Sequence, residues 1–146
     1  MDELDRTLLK ILEKDGRIPF KELASRLNVS DVTIKNRIDK MIKSKTIYYF
    51  SVEINYEKIN LPLRVTIGVT VEPSKNAEVL DHIQSFDEIL IIWKTSGAHS
   101  INIRGAFHDH NHMNRVIDKA LNIPGVREYH ISILDREIKN SKLIFI

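Results

Sequence analysis

The segment from Asn28 to Lys43 constrains the fold more than any other stretch, because it encodes one capped helix with two different faces. Ser30 suits the N-cap position, since its hydroxyl can accept from the free N–H groups of a first helical turn. At 100° per residue one stripe is apolar, formed by Ile34, Ile38, Met41 and Ile42. The opposite face carries Val32, Thr33, Asn36, Asp39, Lys40 and Lys43. The pattern predicts a helix that packs on one side and can bind something on the other.

The exposed side of this helix is basic. Residues 32 to 48 contain five basic side chains and one acidic side chain, Asp39, which gives a local charge of +4. The basic residues are Lys35, Arg37, Lys40, Lys43 and Lys45. The net charge of the 146-residue chain is only +2, so the positive charge is concentrated here. Such a cluster favours a polyanionic partner, although a solvated helix face has the same composition.

Two shorter helices are predicted before this segment. Leucine and isoleucine recur at helical spacing from Leu4 to Leu12, which predicts a helix from about Asp2 to Lys14, ended by Asp15-Gly16. A second helix begins near Pro19 and ends near Asn28, two residues before the Ser30 cap. A short helix, a tight turn and a longer capped helix with a basic face form a helix-turn-helix, whose second helix enters the DNA major groove.

The chain after Lys45 is rich in β-formers. The stretch from Ile47 to Ile54 predicts a wing or connecting strand. We therefore expect three regions, which are a helix-turn-helix DNA-binding domain at residues 1–46, a wing and linker strand at 47–61 and a third domain at 62–146.

The C-terminal region alternates between strand and helix patterns. We expect strands at Leu63–Val71, Glu88–Lys94, Ser100–Phe107 and Val126–Ile138. Helices are expected from Ser74 to Phe86, and from an Asp109 cap to a stop at Pro124-Gly125. The order β-α-β-β-α-β predicts an α+β, ferredoxin-like sheet with both helices on one face. The uncovered face is then expected to pack on a second copy, giving a dimer.

Other features of the sequence reduce the number of functions that the chain could have. The tail from Lys142 to Ile146 is apolar and is expected to add to a sheet edge or an oligomer contact. His108, His110 and His112 invite a metal interpretation, but their predicted positions do not converge, so no metal site is expected. The chain has no cysteine, no recognisable catalytic motif and no apolar run of about 20 residues. These observations predict a cytoplasmic, non-enzymatic protein without a membrane segment.

The N-terminal residues resemble the DNA-binding domain of the Lrp/AsnC (feast/famine) family of transcriptional regulators. The matching positions are Leu4-Asp5, Asp15-Gly16-Arg17, Glu22-Leu23-Ala24, Ser30, Thr33-Ile34 and Arg37-Ile38. Family members usually have a glycine before the hydrophobic residue that opens the wing, where this chain has Lys45-Thr46-Ile47. We therefore expect the turn into the wing to differ.

The C-terminal region resembles the regulatory (RAM, ACT-like) domain of the same family, through Thr95-Ser96-Gly97 and Ile123-Pro124-Gly125-Val126. The resemblance implies dimers that often form octamers, no required cofactor, and a small effector, usually an amino acid. The implied effector residues are Ser96, Gly97, Ala98, His99 and Ser100. Amino-acid-binding members commonly carry an acidic residue where this chain has Ser100, so the effector is expected to differ or to be absent.

The sequence therefore predicts a DNA-binding transcriptional regulator that forms a dimer or a larger oligomer. Lys35, Lys40, Lys43 and Arg37 are expected to contact phosphates, and Arg37 could equally be structural. Val32, Thr33 and Asn36 are placed to reach base edges, and Ser30 serves as cap and phosphate contact. The alternatives are a tetrapyrrole-processing decarboxylase, which resembles the family over both domains, and a genome-wide architectural protein. A stand-alone effector domain is disfavoured by the complete helix-turn-helix.

Overall fold

A computed structural model of the chain describes residues 1–139, in which residues 1–53 and residues 54–138 belong to two compact units. The first unit contains α1 (Glu3–Lys14), α2 (Phe20–Leu27) and α3 (Asp31–Lys43). None of the helices in the described residues has the length and apolar character needed to cross a membrane. The tail at residues 142–146, expected to add to a sheet edge, lies outside the described residues.

The three helices of the first unit enclose a small apolar core. Leu8 of α1, Leu23 of α2 and Ile34 of α3 are fully buried at its centre. Ile38 and Met41 are also buried, as the sequence pattern predicts, but Ile42 remains 42% exposed. The prediction that Ile42 belongs to the packed stripe is therefore wrong, because this residue lies at the edge of the stripe, where no helix of the described residues covers it.

The turn between α2 and α3 depends on Asn28. Its backbone is left-handed, at φ 52° and ψ 46°, and its N–H donates to the carbonyl of Ala24. Asparagine tolerates this conformation better than most residues. The turn leaves three residues, Asn28, Val29 and Ser30, between the helices and confirms the predicted helix-turn-helix.

The predicted strand from Ile47 to Ile54 is wrong. Residues 47–55 are irregular, and residues 56–60 form a turn closed by a hydrogen bond from Leu61 N to Tyr56 O of 2.8 Å. Tyr48 and Tyr49 are 78% and 77% exposed. A β-prone sequence forms a strand only where another strand pairs with its backbone, and no described strand of this chain does so.

The second unit has the predicted order β-α-β-β-α-β. Its elements are β1 (Leu63–Val71), α4 (Asn76–Ile83), β2 (Ile89–Lys94), β3 (Ile101–Phe107), α5 (His110–Leu121) and β4 (Val126–Ile133). The strands form one antiparallel sheet in the order β2-β3-β1-β4. The ferredoxin-like prediction is confirmed. The last strand is shorter than predicted, because the chain is irregular from residue 134 to residue 139.

The two faces of this sheet differ in character. Val65, Ile67 and Val69 of β1 are buried against the helices together with Ile101 and Ile103 of β3. The alternate residues form what we call the outer face, which is defined by Thr66, Gly68, Thr70, Trp93, Asn102, Arg104, Glu128 and His130. Its centre is polar, and the Arg104 guanidinium lies 5.6 Å from the ring of Trp93.

Candidate nucleic-acid interface and effector loop

The start of α3 is fixed by Ser30. Its Oγ accepts a hydrogen bond from Thr33 N at 3.0 Å, and the two hydroxyl oxygens lie 2.8 Å apart. Ser30 is therefore the N-cap that the sequence predicts. Thr33 is half-buried and its hydroxyl is already engaged with Ser30, so its freedom to reach a base edge is smaller than the sequence alone indicates.

The solvent side of α3 presents both candidate base-contacting and phosphate-contacting residues. Val32 is 61% exposed, and Lys35, Asn36, Lys40 and Lys43 are also exposed. Among the described residues, no ion pair or side-chain hydrogen bond engages these four polar side chains. Their charges and donors are free to meet an external partner, and the positive charge on this face is not neutralised by its neighbours.

Arg37 lies in a different environment. Its Nη1 donates to both carboxylate oxygens of Asp2, at 2.7 Å and 2.6 Å, and to Oδ1 of Asp5 at 2.8 Å. Asp2 and Asp5 themselves form the capping box at the start of α1, each accepting from the backbone N–H of the other. Arg37 thereby links the middle of α3 to the N-terminus of α1, which is the structural alternative that the sequence leaves open.

This cluster shifts the proton affinity of its members. The Arg37 hydrogen bonds hold the pKa of the Asp5 carboxyl below its ordinary value, and the effect exceeds the opposing effect of burial. The same contact lowers the pKa of Asp2, and the two carboxylates raise the pKa of Arg37. The three side chains are therefore charged together at neutral pH, and Arg37 is already bonded to two anions.

The end of α3 turns sharply at Lys45. This residue has φ 58°, in the left-handed region that glycine favours, and its N–H donates to Ile42 O at 3.0 Å. Ile47 N then donates to Met41 O at 3.0 Å. The Cβ of a lysine makes this conformation strained. Glycine, which has no Cβ, adopts the same turn without strain.

The candidate effector residues lie in the loop between β2 and β3, and they fall into two groups. Ser96, Gly97 and Ala98 form an exposed tip, and a Cβ added at Gly97 would meet nothing within 4 Å. Ser100 is anchored, because its Oγ accepts from Val71 N at 2.9 Å and donates to Val69 O at 3.2 Å. Its hydroxyl is therefore already satisfied within the protein.

The side chain of His99, the remaining candidate effector residue, lies over β1. A Cβ built on Gly68 would lie 2.7 Å from Cγ of His99, so the imidazole occupies the space above this glycine. The ring lies 5.3 Å from that of His130 on β4. The sequence pattern places Glu128 and His130 on one face of the last strand, but it does not show that the β2–β3 loop reaches them.

Of the three histidines near α5, His108 and His112 come together and His110 lies apart from them. The rings of His108 and His112 stack with their centroids 5.0 Å apart, and His112 Nε2 lies 3.0 Å from Glu88 Oε1. His108 Nδ1 contacts the carbonyl of Asn60. His110 is exposed on the first turn of α5, which Asp109 caps by accepting from His112 N at 2.7 Å.

Two family models match this chain. The model of the AsnC-type helix-turn-helix domain covers residues 1–42, and that of the Lrp/AsnC ligand binding domain covers residues 64–144. An uncharacterised HTH-type transcriptional regulator of Pyrococcus abyssi is 32% identical over 139 residues, which are 95% of each chain. The HTH-type transcriptional regulator FL11 of the same organism is 30% identical over 134 residues, 92% of this chain and 89% of that protein.

Solved structures agree with the fold. AsnC of E. coli superposes with a TM-score of 0.87 at 23% identity, covering 98% of this chain and 97% of that one. A transcriptional regulator from Neisseria meningitidis, solved as a complex with L-Met, gives a TM-score of 0.88 at 23% identity over 97% of this chain and 94% of that one. At this level of identity the likeness concerns the fold.

Proposed function

This chain belongs to the Lrp/AsnC family of DNA-binding transcriptional regulators, and we propose that it binds DNA through the solvent side of α3. The observation that carries the proposal is the set of exposed lysines on that side, which no described carboxylate neutralises. An unpaired cationic helix following a tight turn suits the major groove of a duplex, where phosphates flank the base edges.

Within this interface we divide the residues by chemistry. Lys35, Lys40 and Lys43 would contact phosphates and set the orientation of α3, since an ammonium group carries no base information there. Asn36 can pair with an adenine edge, and Val32 can meet a thymine methyl group. Ser30 and Thr33 would lie at the helix N-terminus, where the helix dipole favours a phosphate.

We assign Arg37 a structural role. Its Nη1 already donates to Asp2 and Asp5 at distances of 2.6 to 2.8 Å. A phosphate contact would require Arg37 to exchange two carboxylate partners for one phosphate. Its contribution to DNA binding would therefore be indirect, through the position at which α3 is held against α1.

The oligomer would be a dimer, with larger assemblies built from it. The outer face of the sheet carries no helix within the second unit, and Ile91 and Trp93 on β2 are each 39% exposed. A second copy packed on this face would cover them, and two-fold symmetry would present two α3 helices to two half-sites. This arrangement requires an operator with matching two-fold symmetry.

A small effector would bind at the tip of the β2–β3 loop. The Neisseria meningitidis regulator was solved with L-Met, which supports an amino acid as the first compound to test. In this chain Ser100 is committed to β1 and offers no carboxylate for an α-ammonium group. We therefore expect the exposed Ser96–Ala98 tip to contact the effector, with no cofactor needed for DNA binding.

The protein would act in the cytoplasm as a binding protein and not as an enzyme. The unpaired lysines of α3 favour DNA over the tetrapyrrole chemistry of the decarboxylases that share this architecture. A bound tetrapyrrole absorbs visible light, so the absorbance spectrum of the purified protein distinguishes the two functions before any DNA experiment.

The test is an in vitro selection of bound fragments from a random duplex pool at two salt concentrations, with the absorbance spectrum recorded first. We expect an enriched two-fold motif with half-sites about one helical turn apart. Salt-sensitive binding without a motif would indicate an architectural protein. No binding at low salt would overturn the proposal, and a coloured protein would then favour the decarboxylase.

A further inference from the structure

Three potential metal ligands meet on the outer face of the sheet. They are His99 from the β2–β3 loop and Glu128 and His130 from β4. One donor atom from each lies within 4.8 Å of the other two. Within the described residues, no other three histidine, aspartate or glutamate side chains come together in this way.

The sheet register explains why these residues converge. His130 lies beside Gly68 and Glu128 beside Thr70 in the antiparallel pairing of β4 with β1. Residues two apart on a strand project from the same face, so both side chains of β4 rise from the outer face. Ser100 N donates to Val69 O at 3.1 Å, which anchors the neighbouring loop over the same part of β1.

Gly68 makes room for the third ligand. A Cβ at this position would lie 2.6 Å from Nε2 and 2.7 Å from Cγ of His99, distances that real Cβ atoms do not adopt. Any side chain larger than hydrogen would therefore push the imidazole away from the sheet. The glycine thus sets the position of His99 without contributing a ligand.

Thr70 orients two of the three ligands. Its Oγ1 lies 3.3 Å from His99 Nδ1 and 3.3 Å from Glu128 Oε1. The hydroxyl has one proton and donates it to the carboxylate, so toward His99 it acts as acceptor and Nδ1 carries the imidazole proton. The lone pair is then on Nε2. Orientation of a ligating histidine by a hydrogen bond at its other nitrogen is the usual arrangement at metal sites.

The three ligands surround a space and do not bond to one another. Among the described residues the histidine within 4.0 Å of a carboxylate is His112, beside Glu88, and neither His99 nor His130 makes such a contact with Glu128. Tetrahedral zinc ligands at about 2.0–2.1 Å from the metal lie roughly 3.4 Å apart. The donor atoms of the three side chains, now within 4.8 Å of one another, reach that spacing through small side-chain rotations. Glu128 and His130 can make these rotations because both are exposed.

We propose that His99, Glu128 and His130 bind one divalent transition-metal ion per chain, of the Zn²⁺ class, with the fourth position open to water. Two imidazoles and one carboxylate form a donor set that zinc accepts, whereas Ca²⁺ and Mg²⁺ prefer oxygen ligands alone. All three ligands come from one chain, so the site needs no residue of a second copy and does not depend on the proposed DNA interface; the second copy proposed to pack on the outer face would lie over it.

The test is a titration of the metal-free, untagged protein with Zn²⁺ in competition with a chromophoric chelator, followed by Co²⁺ substitution. We expect one Zn²⁺ per chain and the visible absorption bands of tetrahedral Co²⁺. His130→Gln and Glu128→Gln should each weaken Zn²⁺ binding at least about 100-fold, because each removes a ligand. Thr70→Val should weaken it about 10–100-fold, since it removes only the orienting hydroxyl.

Two further variants separate this site from other histidines. Gly68→Ala keeps all three ligands and should still weaken Zn²⁺ binding by displacing His99. His110→Gln removes an exposed histidine elsewhere and should leave the affinity unchanged. The absence of saturable Zn²⁺ binding would overturn the proposal, and so would binding that His130→Gln and Gly68→Ala leave intact. Circular dichroism of each variant confirms that it is folded.

Discussion

Arg37 Nη1 donates to Asp5 Oδ1 at 2.8 Å across 32 residues of sequence, and this contact ties α3 to the first turn of α1. Asp5 is the one buried charged residue in the described part of the chain. Since Asp5 and Asp2 also cap α1, a single cluster holds together the start of one helix and the middle of another. The orientation of α3 in the first unit therefore depends on an ion pair as well as on the apolar core.

The pH dependence of stability should reveal this cluster. Arg37 lowers the pKa of Asp5 and Asp2 in the folded state below the unfolded value of about 3.9. The stabilising contribution is therefore complete above about pH 3.9 and is lost as the pH falls through the lower, folded-state pKa. We expect Arg37→Gln to lower the Tm at pH 7 by several degrees and to lower it much less at pH 2.5.

The matched control is Arg26→Gln, which breaks an exposed pair with Glu22 on α2. Such surface pairs contribute little, so this variant should change the Tm only slightly at either pH. Thermal unfolding followed by circular dichroism between pH 2.5 and pH 7 measures both. If the Tm profiles of the Arg37 and Arg26 variants were the same, the cluster would have no special role.

Asn36 should determine sequence preference. Asn36→Ala is expected to cost about 1–3 kcal/mol of binding free energy on the selected operator, through one base position, and little on random DNA. Competition binding against operators altered at single positions measures the loss. Asp39→Ala is the control on the same exposed face, and it should not relax the base preference. Equal losses on operator and random DNA would remove Asn36 from base recognition.

Lys40 should act on all DNA sequences alike. Lys40→Ala is expected to weaken operator and random DNA by a similar factor, and to reduce the slope of log K against log salt by about 0.9, because one phosphate contact is lost. Fluorescence anisotropy over a series of salt concentrations measures this slope. Lys10→Ala on α1 serves as a charge-matched control. An unchanged slope for Lys40→Ala would mean that this lysine does not contact a phosphate.

The left-handed backbone conformation of Lys45 should lower the free energy of unfolding. Its φ of 58° costs a residue with a Cβ about 1–2 kcal/mol, whereas glycine pays about 0.5–1 kcal/mol in unfolded-chain entropy. Lys45→Gly is therefore expected to raise the free energy of unfolding by roughly 0.5–1 kcal/mol, measured by urea denaturation. Lys45→Ala removes the same charge but keeps the Cβ, so it should not stabilise. A similar gain in both variants would attribute the effect to charge.

The sequence by itself determined the order and type of the regular elements. Helical and period-two patterns reflect which face of each element is apolar, and local signals such as Ser30, Asn28 and Asp109 act on their own helix ends. These are interactions among residues close in sequence, so they can be read without the fold. The helix-turn-helix and the β-α-β-β-α-β order were predictable for this reason.

Only the tertiary structure decided how residues distant in sequence meet. It gave Arg37 its carboxylate partners on α1, showed that Ile47–Ile54 has no strand to pair with, and brought His99 to Glu128 and His130. Each of these outcomes depends on the packing of one element against another. The exposed face of α3 was visible in the sequence, whereas the contacts that orient it and the meeting of His99 with Glu128 and His130 required the folded chain.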